Sequence, residues 1–245
     1  MGVRWVERTI VVIPGLFGGV SKKHYRPLAE MFGSEDFLLF RAGADWEPMD
    51  IAEQIREIDG YKVLVCLSCG AIIGNLLAND SDTEVYYICP YVGADFINRE
   101  KKAYVYRMRH LFGAVASVLV VVTRPFKNHR WYPLYGGTKP DGWFLSIYAI
   151  CKQLKYAFSD VPTVNRVDGL VLSYGDSVVE PTMAIRTSSN AVVAKTACGK
   201  YPAHVNLRDE GEKFGSTSIS QNGRLSEDAK AYLSAFGNML NQRSR

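Results

Sequence analysis

One short stretch of the sequence combines a buried-strand pattern, a tight turn and a nucleophilic side chain. The apolar run Val63–Leu67 leads into Ser68, and a helix-like segment follows. A serine on a sharp strand-to-helix turn can attack a carbonyl carbon, because the turn exposes its hydroxyl at the edge of a sheet. Such a turn needs small residues two positions before and after the serine. Gly70 meets this requirement, and Cys66 replaces the usual glycine. The stretch therefore predicts nucleophilic catalysis by Ser68.

Two other interpretations of this stretch remain open. If Cys69 were the nucleophile, Leu67 would occupy a position that requires a small residue. Alternatively, Ser68 only caps an ordinary strand-to-helix turn. Cys66 and Cys69 also form a CxxC pair, but neither a second such pair nor a histidine pair accompanies it to complete a zinc site. We therefore expect no metal and no organic cofactor.

The surrounding sequence predicts the elements that must hold this turn. Short β-branched runs bounded by turn residues predict strands, and amphipathic patterns between them predict helices. Strands that are apolar throughout, alternating with helices, are typical of a parallel sheet covered on both faces. We therefore predict an α/β fold with a mostly parallel central sheet, in one domain over residues 1–245. The predicted strands are Thr9–Ile13, Phe37–Phe40, Lys62–Leu67, Glu84–Cys89, Gly169–Ser173 and Ala191–Lys195.

The alternation is interrupted over about residues 95–165. This segment contains the apolar run Leu111–Val122, which at 12 residues is too short to span a bilayer. It also contains an amphipathic pattern that places Trp143, Ile147 and Cys151 on one face. It carries 11 Lys or Arg against 4 Asp or Glu, a net charge of +7, whereas the whole chain carries +4. Insertions of this size near active sites commonly act as lids. We predict a core of residues 8–94 and 166–245 with this segment as its cap.

The nucleophile turn and the elements around it resemble the α/β-hydrolase family, which includes serine esterases, lipases and thioesterases. In that family a turn after the first core strand donates one N–H group to the oxyanion. The segment VVIPGLFGG stands there in this chain, with Pro14 where histidine is usual. The resemblance implies an oxyanion hole formed by the backbone N–H groups of Leu16 and Cys69. The glycines of this segment suggest a phosphate loop as an alternative, but its Lys-Ser/Thr pair is missing.

The same resemblance implies an acid and a histidine after the late strands, in the chain order Ser, Asp, His. Asp176 follows the strand Gly169–Ser173 and is the implied acid, with Asp95 and Glu180 as alternatives. His204 follows the last strand and is the implied base, although Ala203 stands where glycine is usual. The other histidines, His24, His110 and His129, occur too early in the chain to fit this order.

The resemblance implies hydrolysis of a carboxylic ester, with a small-molecule ester or acyl compound as substrate. A thioesterase, an acyltransferase and a non-catalytic binding protein on the same scaffold remain alternatives. The basic cap either meets an anionic group or surface or is only solvated. The mild net charge and the lack of a recognisable motif argue against nucleic acid as a partner. Five cysteines without a disulfide framework, and no secretory signal, favour the cytoplasm. The oligomeric state is not predicted.

Overall fold

The central feature of the fold is a sheet of six strands in the order β2-β1-β3-β4-β5-β6. All five neighbouring pairs are parallel. The computed structural model describes residues 8–15, 22–40, 47–100, 102–129, 146–159, 167–173, 176, 179–180, 192–196 and 227–243. The strands are β1 (Arg8–Ile13), β2 (Leu38–Leu39), β3 (Tyr61–Leu67), β4 (Thr83–Ile88), β5 (Gly169–Ser173) and β6 (Val192–Thr196). Each predicted strand is present, with its ends shifted by at most one residue.

Seven helices connect or follow these strands in the described part of the chain. Proline lies in the first turn of both α1 and α2, where its missing N–H group costs nothing. The helices are α1 (Arg26–Glu30), α2 (Pro48–Arg56), α3 (Ala71–Leu77), α4 (Ala103–Arg107), α5 (Arg109–Thr123), α6 (Ile147–Ala157) and α7 (Glu227–Arg243). Short 3-10 turns cover Lys22–Tyr25, Ser68–Gly70, Ala94–Phe96 and Arg124–Phe126.

Alternate side chains of the strands enter two separate cores, one on each face of the sheet. On one face Val11, Leu64 and Cys66 pack with residues of α2 and α3. On the other face Val12 and Val65 pack with residues of α1 and α7. Because both faces are covered, the strands are apolar throughout rather than alternating. The predicted fold class is confirmed: the chain has a mostly parallel sheet flanked by helices, consistent with a minimal α/β-hydrolase fold.

The order of the strands determines where a ligand can bind. The chain runs from β1 to β2 on one side and then returns to place β3 on the other side of β1. Open parallel sheets bind ligands outside the carboxyl ends of their strands, at the point where the strand order reverses. In this sheet that point lies between Gly15, which follows β1, and Ser68, which follows β3.

Helices α4, α5 and α6 lie between β4 and β5 in the chain, within the predicted cap. Ser146 caps α6, since its hydroxyl oxygen accepts a hydrogen bond from the Ala149 N–H at 3.0 Å. On the predicted shared face of α6, Ile147 is 42% exposed while Cys151 is buried. Trp143 lies outside the described residues. The domain boundaries stay a prediction.

The apolar run of the cap forms a longer helix than its 12 residues suggested. Together with the 3-10 turn that follows α5, the segment Arg109–Phe126 has 18 residues and a mean hydropathy of 1.2. By length and composition alone, it is the one helix among the described residues that could cross a membrane, and 11% of it is buried.

Candidate active site

The turn after β3 has the backbone geometry of a nucleophile elbow. Leu67 ends the strand in an extended conformation, with φ −106° and ψ 131°. Ser68 then adopts a φ of 50°, in the left-handed region that side chains other than glycine rarely occupy. A 3-10 turn over Ser68–Gly70 leads directly into α3. Backbone strain of this kind persists only where the surrounding structure enforces it, and it clusters at active sites.

The positive φ also distinguishes the two candidate nucleophiles. Among the described non-glycine residues, Ser68 and Cys89 are the two with positive φ, so Cys69 does not occupy the apex of the turn. Cys69 is 6% exposed and carries a free thiol. The backbone therefore favours Ser68 as the nucleophile, whereas Cys69 would supply a backbone N–H group.

Two glycines allow the end of β1 to lie directly against this turn. A Cβ atom added at Gly70 would lie 2.1 Å from the carbonyl oxygen of Ile13. A Cβ atom added at Gly15 would lie 2.6 Å from the Cβ atom of Ser68 and 3.1 Å from its Oγ atom. The segment that carries the predicted oxyanion donor thus approaches the serine hydroxyl closely. Leu16, the predicted donor itself, lies outside the described residues.

Cys66 fits at its unusual position because a glycine lies opposite its thiol. A Cβ atom added at Gly74 of α3 would lie 2.6 Å from the Sγ atom of Cys66. Because Gly74 has no side chain, there is space for the Cys66 thiol beside α3. A glycine at position 66 would leave that space empty. Complete burial raises the pKa of Cys66 far above its ordinary range, so the thiol stays protonated and unreactive.

Asp176, the predicted acid, is buried and held by the backbone around it. Its side chain is 1% exposed, and its Oδ1 atom accepts a hydrogen bond from the Val179 N–H at 3.0 Å. It follows β5, which is separated from β3 by one strand, β4. Two strand spacings amount to about 10 Å. An imidazole that bridged the carboxylate and the Ser68 hydroxyl would fit between the two strand ends.

A segment after β4 holds the loop that carries Asp176. The side-chain amide of Asn98 is buried and donates to the carbonyl oxygen of Asp176 at 2.8 Å. Ile97 and Val179 form an antiparallel bridge, and the Glu180 N–H donates to the Phe96 carbonyl at 2.7 Å. Sequence reasoning missed Asn98, because its partner lies 78 residues away and the segment carries no local motif.

The two alternative acids occupy more exposed positions. Asp95 is 49% exposed and lies 3.9 Å from the guanidinium group of Arg99, as in an ordinary surface ion pair. Glu180 is half-buried and contributes its backbone N–H to the loop contact above. Among these three carboxylates, Asp176 is therefore the best suited to orient a buried imidazole.

The histidines divide between exposed positions and positions outside the described residues. His110 and His129 are exposed, at the start of α5 and after its C-terminal end. His24 lies in a 3-10 turn, and its side chain is not among those described. His204, the predicted base, lies outside the described residues. Its role and those of Ser68, Asp176, Leu16 and Cys69 stay predictions.

Tyr91 connects the turn at Ser68 to α6, which lies in the predicted cap. Its N–H group donates to the Ser68 carbonyl at 3.0 Å, and its hydroxyl donates to the Ala157 carbonyl at the end of α6 at 2.9 Å. Burial raises the pKa of Tyr91 well above its ordinary range, so the hydroxyl remains a donor. The last helix of the cap segment is thus bonded to a residue that also supports the backbone of the nucleophile.

Comparisons with known proteins give distant structural similarities. No protein-family model matches the chain, and no curated protein sequence matches it. The chain is similar to DcsB, solved with a substrate analogue, at 14% identity and a TM-score of 0.48, over 97% of this chain and 91% of that one. It is similar to the pyrethroid hydrolase PytH at 12% identity and a TM-score of 0.44, over 98% and 100%. It is also similar to Est1E from Butyrivibrio proteoclasticus at 12% identity and a TM-score of 0.44, over 97% and 88%.

Proposed function

We propose that the protein is a serine hydrolase that cleaves a small-molecule carboxylic ester through an acyl-enzyme on Ser68. The observation that carries this proposal is the backbone of Ser68, with a φ of 50° at the carboxyl end of β3. A nucleophile elbow uses this conformation, because the strained turn exposes the serine hydroxyl at the carboxyl end of the sheet. The close approach of Gly15 to Ser68 supports the same conclusion, since it brings the oxyanion segment beside the hydroxyl.

In the proposed mechanism, the Ser68 hydroxyl attacks the ester carbonyl while His204 accepts its proton. The negative charge on the tetrahedral oxygen is stabilised by the N–H groups of Leu16 and Cys69, at about 3 kcal/mol for each donor. His204 then protonates the leaving alcohol, which departs and leaves an ester on Ser68. Water then attacks the acyl carbonyl while His204 accepts its proton, and His204 returns that proton to the Ser68 oxygen as the carboxylic acid departs. Asp176 holds the imidazole in the correct tautomer and stabilises its positive form.

The first experiment tests whether Ser68 is activated. We expect a fluorophosphonate probe to label the wild-type protein and Cys69→Ala, and to leave Ser68→Ala unlabelled. Ser159→Ala is the matched control, because Ser159 is an exposed serine that follows α6 and should not affect labelling. Labelling that survived in folded Ser68→Ala, or no labelling of the wild-type protein, would overturn the proposal.

The second experiment tests the roles of the acid and the histidine. On a short p-nitrophenyl ester, Asp176→Asn and His204→Gln should each reduce kcat by about 10³–10⁴-fold, because each leaves Ser68 without a correctly held base. Asp95→Asn should change kcat less than about twofold, since a half-exposed ion pair contributes little. If Asp95→Asn were the inactive variant and Asp176→Asn the active one, the acid would be misassigned.

The location and partners belong to the same proposal. We expect the enzyme in the cytoplasm, where its four described cysteines, all free thiols, would stay reduced. The substrate is a small ester or acyl compound, and nucleic acid is not expected to bind.

A further inference from the structure

Helix α5 presents a broad apolar face to solvent. Val118, Val121 and Val122 are 62%, 73% and 60% exposed. Leu111, Val115 and Leu119 are exposed on the same side, since their spacing of three or four residues places them on one helix face. On the opposite side, Ala116 and Thr123 are buried, and Gly113 lies against Phe158, which ends α6. One face of α5 therefore packs on the protein while the other exposes aliphatic side chains.

This exposure is unusual for so apolar a helix. A helix of this composition in the core of a soluble protein is mostly buried, whereas 11% of the residues in Arg109–Phe126 are buried. Contiguous exposed apolar surface commonly marks a site where another surface binds. The aliphatic face of α5 thus needs a partner that is itself apolar.

The charges around α5 indicate which partner that is. Residues 101–140 contain eight Lys or Arg and no Asp or Glu. Lys102 and Arg107 are exposed before α5, and Arg124 and Lys127 are exposed after it. Tyr104 and Phe126 add exposed aromatic rings near the two ends, at 69% and 55%. An aliphatic face flanked by cations and aromatic rings is complementary to a bilayer with anionic headgroups.

Arg109 does not belong to this surface. Its guanidinium group stacks on the Tyr106 ring, 4.2 Å from the ring centre, and donates to the Tyr106 carbonyl at 3.0 Å. Arg99 covers the same ring at 4.3 Å. Arg109 therefore fixes the junction of α4 and α5, and the exposed cations at the ends of α5 remain free to meet headgroups.

A second copy of the chain is a poorer occupant of this face. Two α5 helices packed face to face would bring like charges together whether they ran parallel or antiparallel, because both ends of α5 carry exposed cations. Like charges in such contacts repel, and residues 101–140 offer no carboxylate to offset them.

We infer that α5 binds the protein to an anionic lipid surface, with the helix axis in the membrane plane and its valine-rich face in the boundary between headgroups and acyl chains. A spanning orientation fits less well, because it would break the contacts on the buried side of α5, where Ala116 and Thr123 are buried and Gly113 lies against Phe158. Lying flat also preserves the packing of α5 on α6. This inference goes beyond the proposed activity and does not depend on it.

The test measures binding of the full chain to sedimented vesicles of phosphatidylglycerol and phosphatidylcholine. The wild-type protein and Ser68→Ala should bind equally, because binding needs no catalysis. Val118→Ser/Val122→Ser should bind at least about tenfold more weakly, since both side chains are expected to leave water on binding. Leu38→Ser is the matched control: Leu38 is 42% exposed on edge strand β2, outside α5, and its replacement should not alter binding.

A second pair of substitutions tests the contribution of the cations to vesicle binding. Arg124→Gln/Lys127→Gln should weaken binding to these vesicles by about fivefold for each cation removed. Added salt should lower the affinity of the wild-type protein until it approaches that of the variant. Pure phosphatidylcholine vesicles should show no difference between the two proteins. Equal vesicle binding by the wild-type protein and the double serine variant would overturn the inference. The inference would also be overturned if the wild-type protein did not bind vesicles and instead formed a dimer in sedimentation velocity, while the double serine variant stayed monomeric.

Discussion

The Cys66 thiol and the missing side chain of Gly74 form a complementary pair beside the nucleophile. The space that Gly74 leaves is occupied by the Sγ atom of Cys66, 2.6 Å from where a Cβ atom would stand. Neither residue takes part in the proposed chemistry. Together they determine how closely α3 packs on β3, and therefore how the helix begins after Ser68.

We predict an energetic coupling between Cys66 and Gly74. Gly74→Ala should reduce the free energy of unfolding by about 1–3 kcal/mol, because the added methyl group overpacks the core. Cys66→Ala removes the Sγ atom, so Cys66→Ala/Gly74→Ala should be more stable than the sum of the two single effects predicts, by at least about 0.5 kcal/mol. Urea unfolding of the four proteins measures this coupling. Strict additivity would show that Tyr87, 2.9 Å from the same position, provides the clash instead.

Among the contacts between elements, the one most relevant to the candidate site joins the segment after β4 to the loop that carries Asp176. Asn98 is 6% exposed, and its amide reaches the Asp176 carbonyl. The neighbouring bridge between Ile97 and Val179 ties the same two segments together. In the proposed mechanism Asn98 would therefore act as a positioning residue, because its side chain contacts the backbone of Asp176.

We predict that Asn98→Ala lowers activity more than its effect on stability explains. Loss of the hydrogen bond should cost about 1–2 kcal/mol of unfolding free energy and leave the Asp176 carbonyl without this donor. Because the loop that carries Asp176 would then shift, kcat on a short ester should fall about tenfold with little change in KM. Ser146→Ala is the control, as it also removes a buried hydrogen bond to the backbone, at the start of α6. Equal loss of kcat in both variants would contradict a role for Asn98 in positioning.

At the opposite, amino ends of the strands, a lysine is buried against a half-exposed carboxylate. Lys62 on β3 is 1% exposed, and its ammonium group donates to the Asp82 carboxylate at 2.5 Å and to the Ile58 carbonyl at 3.1 Å. The hydrogen bond from Lys62 lowers the pKa of Asp82 below its ordinary value of 3.8. A carboxyl with a lowered folded pKa stabilises the protein above its unfolded pKa, and this contribution is lost as pH falls through the folded value.

We therefore predict a pH-dependent cost for Asp82→Asn. At pH 7 the variant should unfold with about 1 kcal/mol less free energy, a modest value because the Asp82 side chain is 52% exposed. Below about pH 4 the difference from wild type should shrink, since the wild-type carboxyl is then protonated too. Asp36→Asn, at an exposed carboxylate before β2, serves as the control and should show little difference at either pH. A difference that stays constant from pH 7 to pH 3 would contradict this account.

Across the whole molecule, a polar contact joins α6, in the predicted cap segment, to the core. Glu47 precedes α2, and its Oε2 atom lies 2.9 Å from the Lys152 ammonium group on α6. Its other carboxylate oxygen accepts a hydrogen bond from the Tyr156 hydroxyl. Burial, and then the Glu47 carboxylate, raise the pKa of Tyr156 above its ordinary range, so this donor keeps its proton. Together with Tyr91, these contacts attach α6 to the core at two places.

We predict that Glu47→Gln loosens α6 without unfolding the sheet. The Lys152 and Glu47 side chains are 14% and 25% exposed, so losing this charge should cost about 1–2 kcal/mol locally. Backbone amides of α6 should exchange hydrogen about tenfold faster, while those of β3 and β4 should not change. Glu30→Gln breaks an exposed pair with Arg26 and is the matched control, with an expected effect near zero. Equal acceleration in α6 and in the sheet would mean that the substitution destabilises the whole protein.

The strands, their parallel class and the position of the strained turn could be predicted from the amino-acid pattern. These features follow from local patterns: β-branched runs such as Val63–Leu67, and a serine between small residues at the end of such a run. The predicted strands agree with the structure because buried strands of a parallel sheet carry a continuous apolar signal. The resemblance to the α/β-hydrolase family implied Asp176 as the acid, and among the three candidate carboxylates the structure shows Asp176 to be the buried one.

Contacts that no local pattern brings together depend on the tertiary structure. The pairing of Cys66 with Gly74, of Asn98 with Asp176 and of Glu47 with α6 depends on how helices pack on the sheet, and no periodicity in the sequence encodes those contacts. The same is true of α5. The sequence of an apolar helix is the same whether the helix is buried or exposed, because hydropathy is a property of the side chains alone. Exposure depends on which neighbouring elements cover those side chains.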